Sequence, residues 1–85
     1  MSDFQIEIGN FEDLEESQKL LWSWGFQPLM DIFESRYIDL QCFKIMNYDD
    51  LNELIDREML GLRIKFRQKL IEWRTENVSL KYFFL

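Results

Sequence analysis

Along this chain, apolar positions recur at three- and four-residue intervals in clusters separated by short turn signals, and that rhythm predicts helices. Residues 1–9, MSDFQIEIG, differ: Phe4, Ile6 and Ile8 alternate with polar neighbours at a strand period. With no evident strand to pair with, the segment reads as an extended arm ended by Gly9. Asn10 with Asp13 has the form of a helix start, and Glu12, Asp13, Glu15 and Glu16 suit the positive end of a helix dipole. A first helix is expected from there to Trp24, with Leu14, Leu20, Leu21 and Trp24 near one face and Gly25 as its stop. Pro28 fits the first turn of a second helix, where its missing N–H costs nothing, and Leu29, Ile32 and Phe33 supply the inner stripe as far as Arg36.

Ile38 reads as a buried plug, after which Asp39 is placed to cap a third helix, Leu40 to Met46, with Cys42, Phe43 and Met46 facing inward. In NYDDL, Asn47 caps a fourth helix, Asp49 and Asp50 occupy its first turn, and Leu51, Leu54 and Ile55 form its inner face. DREMLG (56–61) is a connector in which Gly61 is expected to let the chain turn. A long fifth helix then carries Leu62, Phe66, Leu70 and Trp73 to about Asn77. The closing VSLKYFFL is apolar and strand-like. The expectation is an all-α fold, a compact five-helix bundle with a long C-terminal helix, in one domain. Its parts are an arm at 1–10, the helical domain at 11–78 and an apolar tail at 79–85.

Composition narrows the function. A hydrophobic fraction of 47% and an aromatic fraction of 16% suffice for a small core. The net charge of −6 argues against a general nucleic-acid binder, which needs clustered Lys and Arg. One cysteine, Cys42, excludes an internal disulfide, and with no histidine in the chain no zinc site is expected. Cys42 between apolar neighbours reads as a buried structural thiol. Ser17, Ser23, Ser35 and Ser79 have no histidine to activate them, and no Gly-rich phosphate loop is present. Acid pairs such as Asp49–Asp50 read as helix-capping groups. No catalysis, cofactor, small-molecule substrate or membrane association is expected. The acidic N-terminus and the lack of a long apolar run suggest an intracellular address, nucleus or cytoplasm.

Four pieces in order carry a family resemblance. They are Trp24-Gly25-Phe26 with Leu29 and Phe33, Ile38-Asp39, Asn47-Tyr48-Asp49-Asp50-Leu51, and Gly61-Leu62-Arg63-Ile64-Lys65-Phe66. Over roughly residues 14–75 the chain resembles the sterile alpha motif (SAM) domain. It departs from the family pattern at Leu20 (often Trp), Leu40 (often Gly), Ile55 (Gly) and Leu62 (often His), which leaves the apolar pattern intact and the subfamily open. The resemblance implies a SAM-like bundle serving as a protein-interaction module, an oligomerising scaffold in signalling or transcriptional regulation. One partner would offer an acidic "mid-loop" surface and the other a basic, apolar "end-helix" surface. By motif, Tyr37, Asp39, Asp49, Asp50 and Glu53 fall on the first, and Arg57, Met59, Leu60, Leu62, Arg63 and Lys65 on the second. The partner would be a SAM domain of another copy or of a different protein.

The charge distribution agrees with such a pairing. Residues 1–56 carry a net −10 and residues 57–85 a net +4. Complementary patches on different faces of one body favour head-to-tail contact that does not close on itself. Met59, Leu60 and Leu62 at the start of the last helix read as a contact knob. The resemblance also implies a second reading, recognition of an RNA hairpin by Arg63, Lys65, Arg67 and Lys69. The acidic first helix and the overall negative charge oppose it. The arm and tail are expected to pack along the first and last helices.

Overall fold

The computed structural model describes residues 11–77. The expected arm and tail, and the proposed start at Asn10, lie outside the described residues. Five α-helices follow in order: α1 (Phe11–Trp24), α2 (Gln27–Ser35), α3 (Leu40–Ile45), α4 (Tyr48–Leu54) and α5 (Leu60–Asn77), with a 3-10 turn at Arg57–Met59 leading into α5. Among the described residues there is no strand, and the fold is all-α with a long last helix. The chain divides into two units, the first ending at Gln41 and the second beginning at Cys42.

In the first unit, α1 and α2 pack on each other. Leu14, Leu21, Leu29 and Phe33 are buried, as their spacing predicts, and so is Phe26 in the turn between the two helices. Leu20, Trp24 and Ile38 are half-buried, and the Trp24 and Phe26 rings meet edge to face at 6.4 Å. Ser17, a small hydroxyl amid this apolar face, is fully buried. Its Oγ lies 2.8 Å from the Leu14 carbonyl and 2.9 Å from that of Ile38, so one hydroxyl proton serves two acceptors. Ser17 thus ties α1 to the link after α2.

Both helices of this unit end the same way. After α1, the Phe26 N–H donates to Leu21 O (2.8 Å) and the Gly25 N–H to Trp22 O (3.1 Å), with Gly25 at φ 86°. After α2, the Ile38 N–H donates to Phe33 O (2.8 Å) and the Tyr37 N–H to Glu34 O (3.0 Å), with Tyr37 at φ 56°. Each is a Schellman motif, with an apolar residue just beyond the stop paired to one a turn earlier. At the first stop glycine takes the left-handed conformation without strain. At the second a tyrosine takes it, at a cost of about 1 kcal/mol.

In the second unit, Phe43, Met46, Leu51, Ile55, Phe66 and Leu70 are buried. Phe43 sits edge to face between Phe66 (5.6 Å) and Trp73 (5.9 Å), so one ring of α3 joins two turns of α5. Asn47 caps α4 as expected. Its side chain accepts from the Asp50 N–H, and the Asp50 carboxylate accepts from the Asn47 N–H, each at 2.9 Å. Cys42 is half-buried rather than buried. The turn into α5 differs from the expectation placed on Gly61. Asp56 makes it, its carboxylate accepting from the Arg57 N–H (2.9 Å) and its carbonyl from the Met59 N–H (2.8 Å). Gly61 already lies within α5.

Two arginines of α5 reach back to carbonyls that short helices leave without partners. The Arg74 Nε–H donates to Phe43 O and one of its terminal N–H groups to Met46 O, both at 2.7 Å, closing the end of α3. Arg63 donates through Nε to Ile55 O at the end of α4 (3.0 Å) and through a terminal nitrogen to the same oxygen. The two lie eleven residues apart, three turns of helix, and so share one side of α5. Burial lowers the Arg74 pKa from its ordinary value, and the guanidinium remains charged.

Two expectations follow. Arg74→Met should lower unfolding free energy by about 3 kcal/mol, the low end for two hydrogen bonds to a charged donor because the guanidinium is only half-buried, and Arg74→Lys should recover less than half because an ammonium lacks the planar fork. Urea titration followed by circular dichroism measures both. Gly25→Ala should cost about 1 kcal/mol from conformation alone, since a Cβ there meets nothing within 4 Å, and Gly25→Asn should cost less in the same assay.

Candidate functional site

The residues assigned to the acidic surface divide between the units. Tyr37 in the first is 42% exposed, with its backbone held in the left-handed stop of α2. Asp39 is buried at 9% exposure and so presents little carboxylate to a partner. In the second unit Asp49, Asp50 and Glu53 are all exposed on α4. They differ in what they do locally. Asp50 is held by the Asn47 N–H in the capping box, whereas Asp49 and Glu53 stand four residues apart on one side of the helix.

The residues assigned to the basic surface all lie in the second unit, around the 3-10 turn and the first two turns of α5. Leu60 is 49% exposed, and Met59 and Leu62 are half-buried, so the apolar run is anchored at both sides and stands out in the middle. Arg57 and Lys65 are exposed on either side of it in sequence. Arg63 is half-buried and turned onto Ile55 O, which makes it part of the scaffold under the knob. Of this set Arg57, Leu60 and Lys65 are exposed, and Met59, Leu62 and Arg63 are half-buried.

The remaining cations of α5 are engaged within the unit. The Arg67 guanidinium lies over the Tyr48 ring at 5.1 Å from its centroid. Lys69 pairs with Glu72 at 3.7 Å, an exposed i, i+3 ion pair that holds its partner weakly. Among the described residues no group of His, Cys, Asp or Glu is arranged to hold a metal ion, and no helix is long and apolar enough to cross a membrane.

Sequence reasoning missed the inward role of Arg74 and the outward display of Tyr48, Ile64 and Ile71, which are 60%, 45% and 38% exposed. For the isoleucines a signal was present. Leu60, Ile64 and Ile71 repeat at four and seven residues, a second stripe on the same helix as the core stripe. Comparison of the chain with known protein families, with curated proteins and with solved structures finds no match.

Proposed function

We propose that this chain is a SAM-like protein-interaction module whose acidic α4 surface binds the basic, apolar start of α5 on another SAM-like domain, in an identical copy or a different protein. The observation that carries the reading is the exposed Leu60 at the start of α5, with the exposed cations Arg57 and Lys65 within five residues of it in sequence. An apolar side chain at 49% exposure with a charged rim has the anatomy of an interface anchor. The complementary charge is on the same chain, in the exposed Asp49 and Glu53 of α4. A surface and its complement at different places on one body give heterologous contacts that grow into open chains. Such a role fits a scaffold in signalling or transcriptional regulation.

RNA recognition draws less support. Of the four cations it would use, Arg63 is bonded to Ile55 O, Arg67 is stacked on Tyr48, and Lys69 is paired with Glu72. Phosphate neutralisation would have to break these contacts.

The test uses sedimentation velocity and isothermal titration calorimetry at micromolar protein. Variants avoid Asp50 and Arg63, whose substitution would damage the α4 cap and the Arg63–Ile55 link. Asp49→Arg with Glu53→Arg removes the acidic surface, and Leu60→Glu with Lys65→Glu removes the basic one. Each pair of substitutions should keep the parent's helicity and raise the self-association Kd at least about thirtyfold. Mixed together, the two variants should form a one-to-one complex of parental affinity that weakens with salt. If both variants self-associate as the parent does, the assignment of surfaces is wrong.

A further inference from the structure

The outer stripe of α5 starts at Leu60, which the proposed pairing also uses, and continues past it to Ile64 and Ile71. Leu60, Ile64 and Ile71 are 49%, 45% and 38% exposed. At about 100° per residue their positions fall within about 40° of one another around the helix. The stripe runs some three turns, about 16 Å. The core stripe of the same helix, Phe66 and Leu70, is buried on another side. A helix that shows a second ordered apolar seam to solvent has a surface shaped for another helix.

The charges beside the seam identify the occupant and its direction. One flank carries Lys65, Gln68 and Glu72, all exposed, with Glu72 held within its own helix by the weak, exposed contacts from Lys69 (3.7 Å) and Gln68 (3.5 Å). The other carries Arg63, Arg67 and Arg74, whose guanidinium groups are held on Ile55 O, the Tyr48 ring, and the Phe43 and Met46 carbonyls. If two copies of α5 met in parallel, the Lys65 flank of one would face the arginine flank of the other. Met antiparallel about a two-fold axis near Gln68, like flanks face each other. Lys65 of each copy then lies across from Glu72 of its mate, seven residues away along the helix. The pattern is self-complementary in that one direction. We infer that a second copy of this chain binds the outer face of α5, forming an antiparallel two-fold dimer through Ile64 and Ile71 with reciprocal Lys65–Glu72 ion pairs.

Three turns of seam bury less than the roughly 800 Å² per partner of a stable complex, so the dimer is weak, with a Kd on the order of 0.1 mM. It closes at two copies.

The test is sedimentation equilibrium up to millimolar concentration on the whole chain carrying Asp49→Arg and Glu53→Arg, which lacks the acidic surface. That background should still dimerise and stop at two copies. Adding Ile64→Asp and Ile71→Asp should raise the Kd more than tenfold with helicity unchanged, as befits exposed positions. Lys65→Glu alone should weaken the dimer severalfold, and Lys65→Glu with Glu72→Lys should restore it. A background variant that stays monomeric throughout, a dimer indifferent to the isoleucine changes, or a charge swap that fails to restore would overturn the inference. None of those results bears on the contact between α4 and the start of α5, which is read at micromolar protein in the unaltered chain.

Discussion

One guanidinium, that of Arg74, closes the C-terminal end of α3. A six-residue helix has too few internal bonds to persist alone, and its last carbonyls need donors from elsewhere. Arg74 supplies two at 2.7 Å while the Phe43 ring of the same helix packs between Phe66 and Trp73. Arg63 does the corresponding work at the end of α4, another short helix. The fixed fork of an arginine suits both tasks, since its N–H groups diverge toward acceptors that backbone geometry sets a few ångströms apart. In the second unit α5 therefore acts as the element onto which shorter ones are fastened, by apolar contact along one side and by arginine–carbonyl bonds along another.

The arrangement bears on function through charge. The C-terminal half is rich in cations, but Arg63 and Arg74 are turned onto carbonyls and Arg67 onto a ring. The exposed charges near the start of α5 are Arg57, Glu58 and Lys65, with the exposed Leu60 among them in sequence. On the reading proposed above, so few outward cations suit a protein partner better than a polyphosphate backbone, which is recognised by many cations at once. Asp50 shows the same economy on the acidic side, its carboxylate serving the α4 cap while Asp49 and Glu53 face solvent.

Much of this was legible in the residues, and the reasons are specific. The α4 start could be read because Asn47 and Asp50 stand at the spacing a reciprocal cap requires. The end of α1 could be read because Gly25 takes a backbone conformation that glycine favours. The end of α2 gave no such sign, since Tyr37 adopts the same conformation against its own preference. Gly61 misled for the converse reason: a glycine after a charged connector resembles a turn, whereas the Asp56 side chain and carbonyl had already made one. The role of Arg74 is not legible because its acceptors are main-chain oxygens, which leave no trace in side-chain spacing. Ser17 was passed over because a small hydroxyl in an apolar stripe reads as an interruption until its two carbonyl acceptors are seen.

Exchange of arginine side-chain protons with solvent measures the central contact most directly. In a nitrogen-15 nuclear magnetic resonance experiment at neutral pH, the Nε–H of Arg74 should exchange at least about tenfold more slowly than that of exposed Arg57, because opening it requires breaking a hydrogen bond at the end of α3. Equal exchange rates for the two arginines would contradict the account.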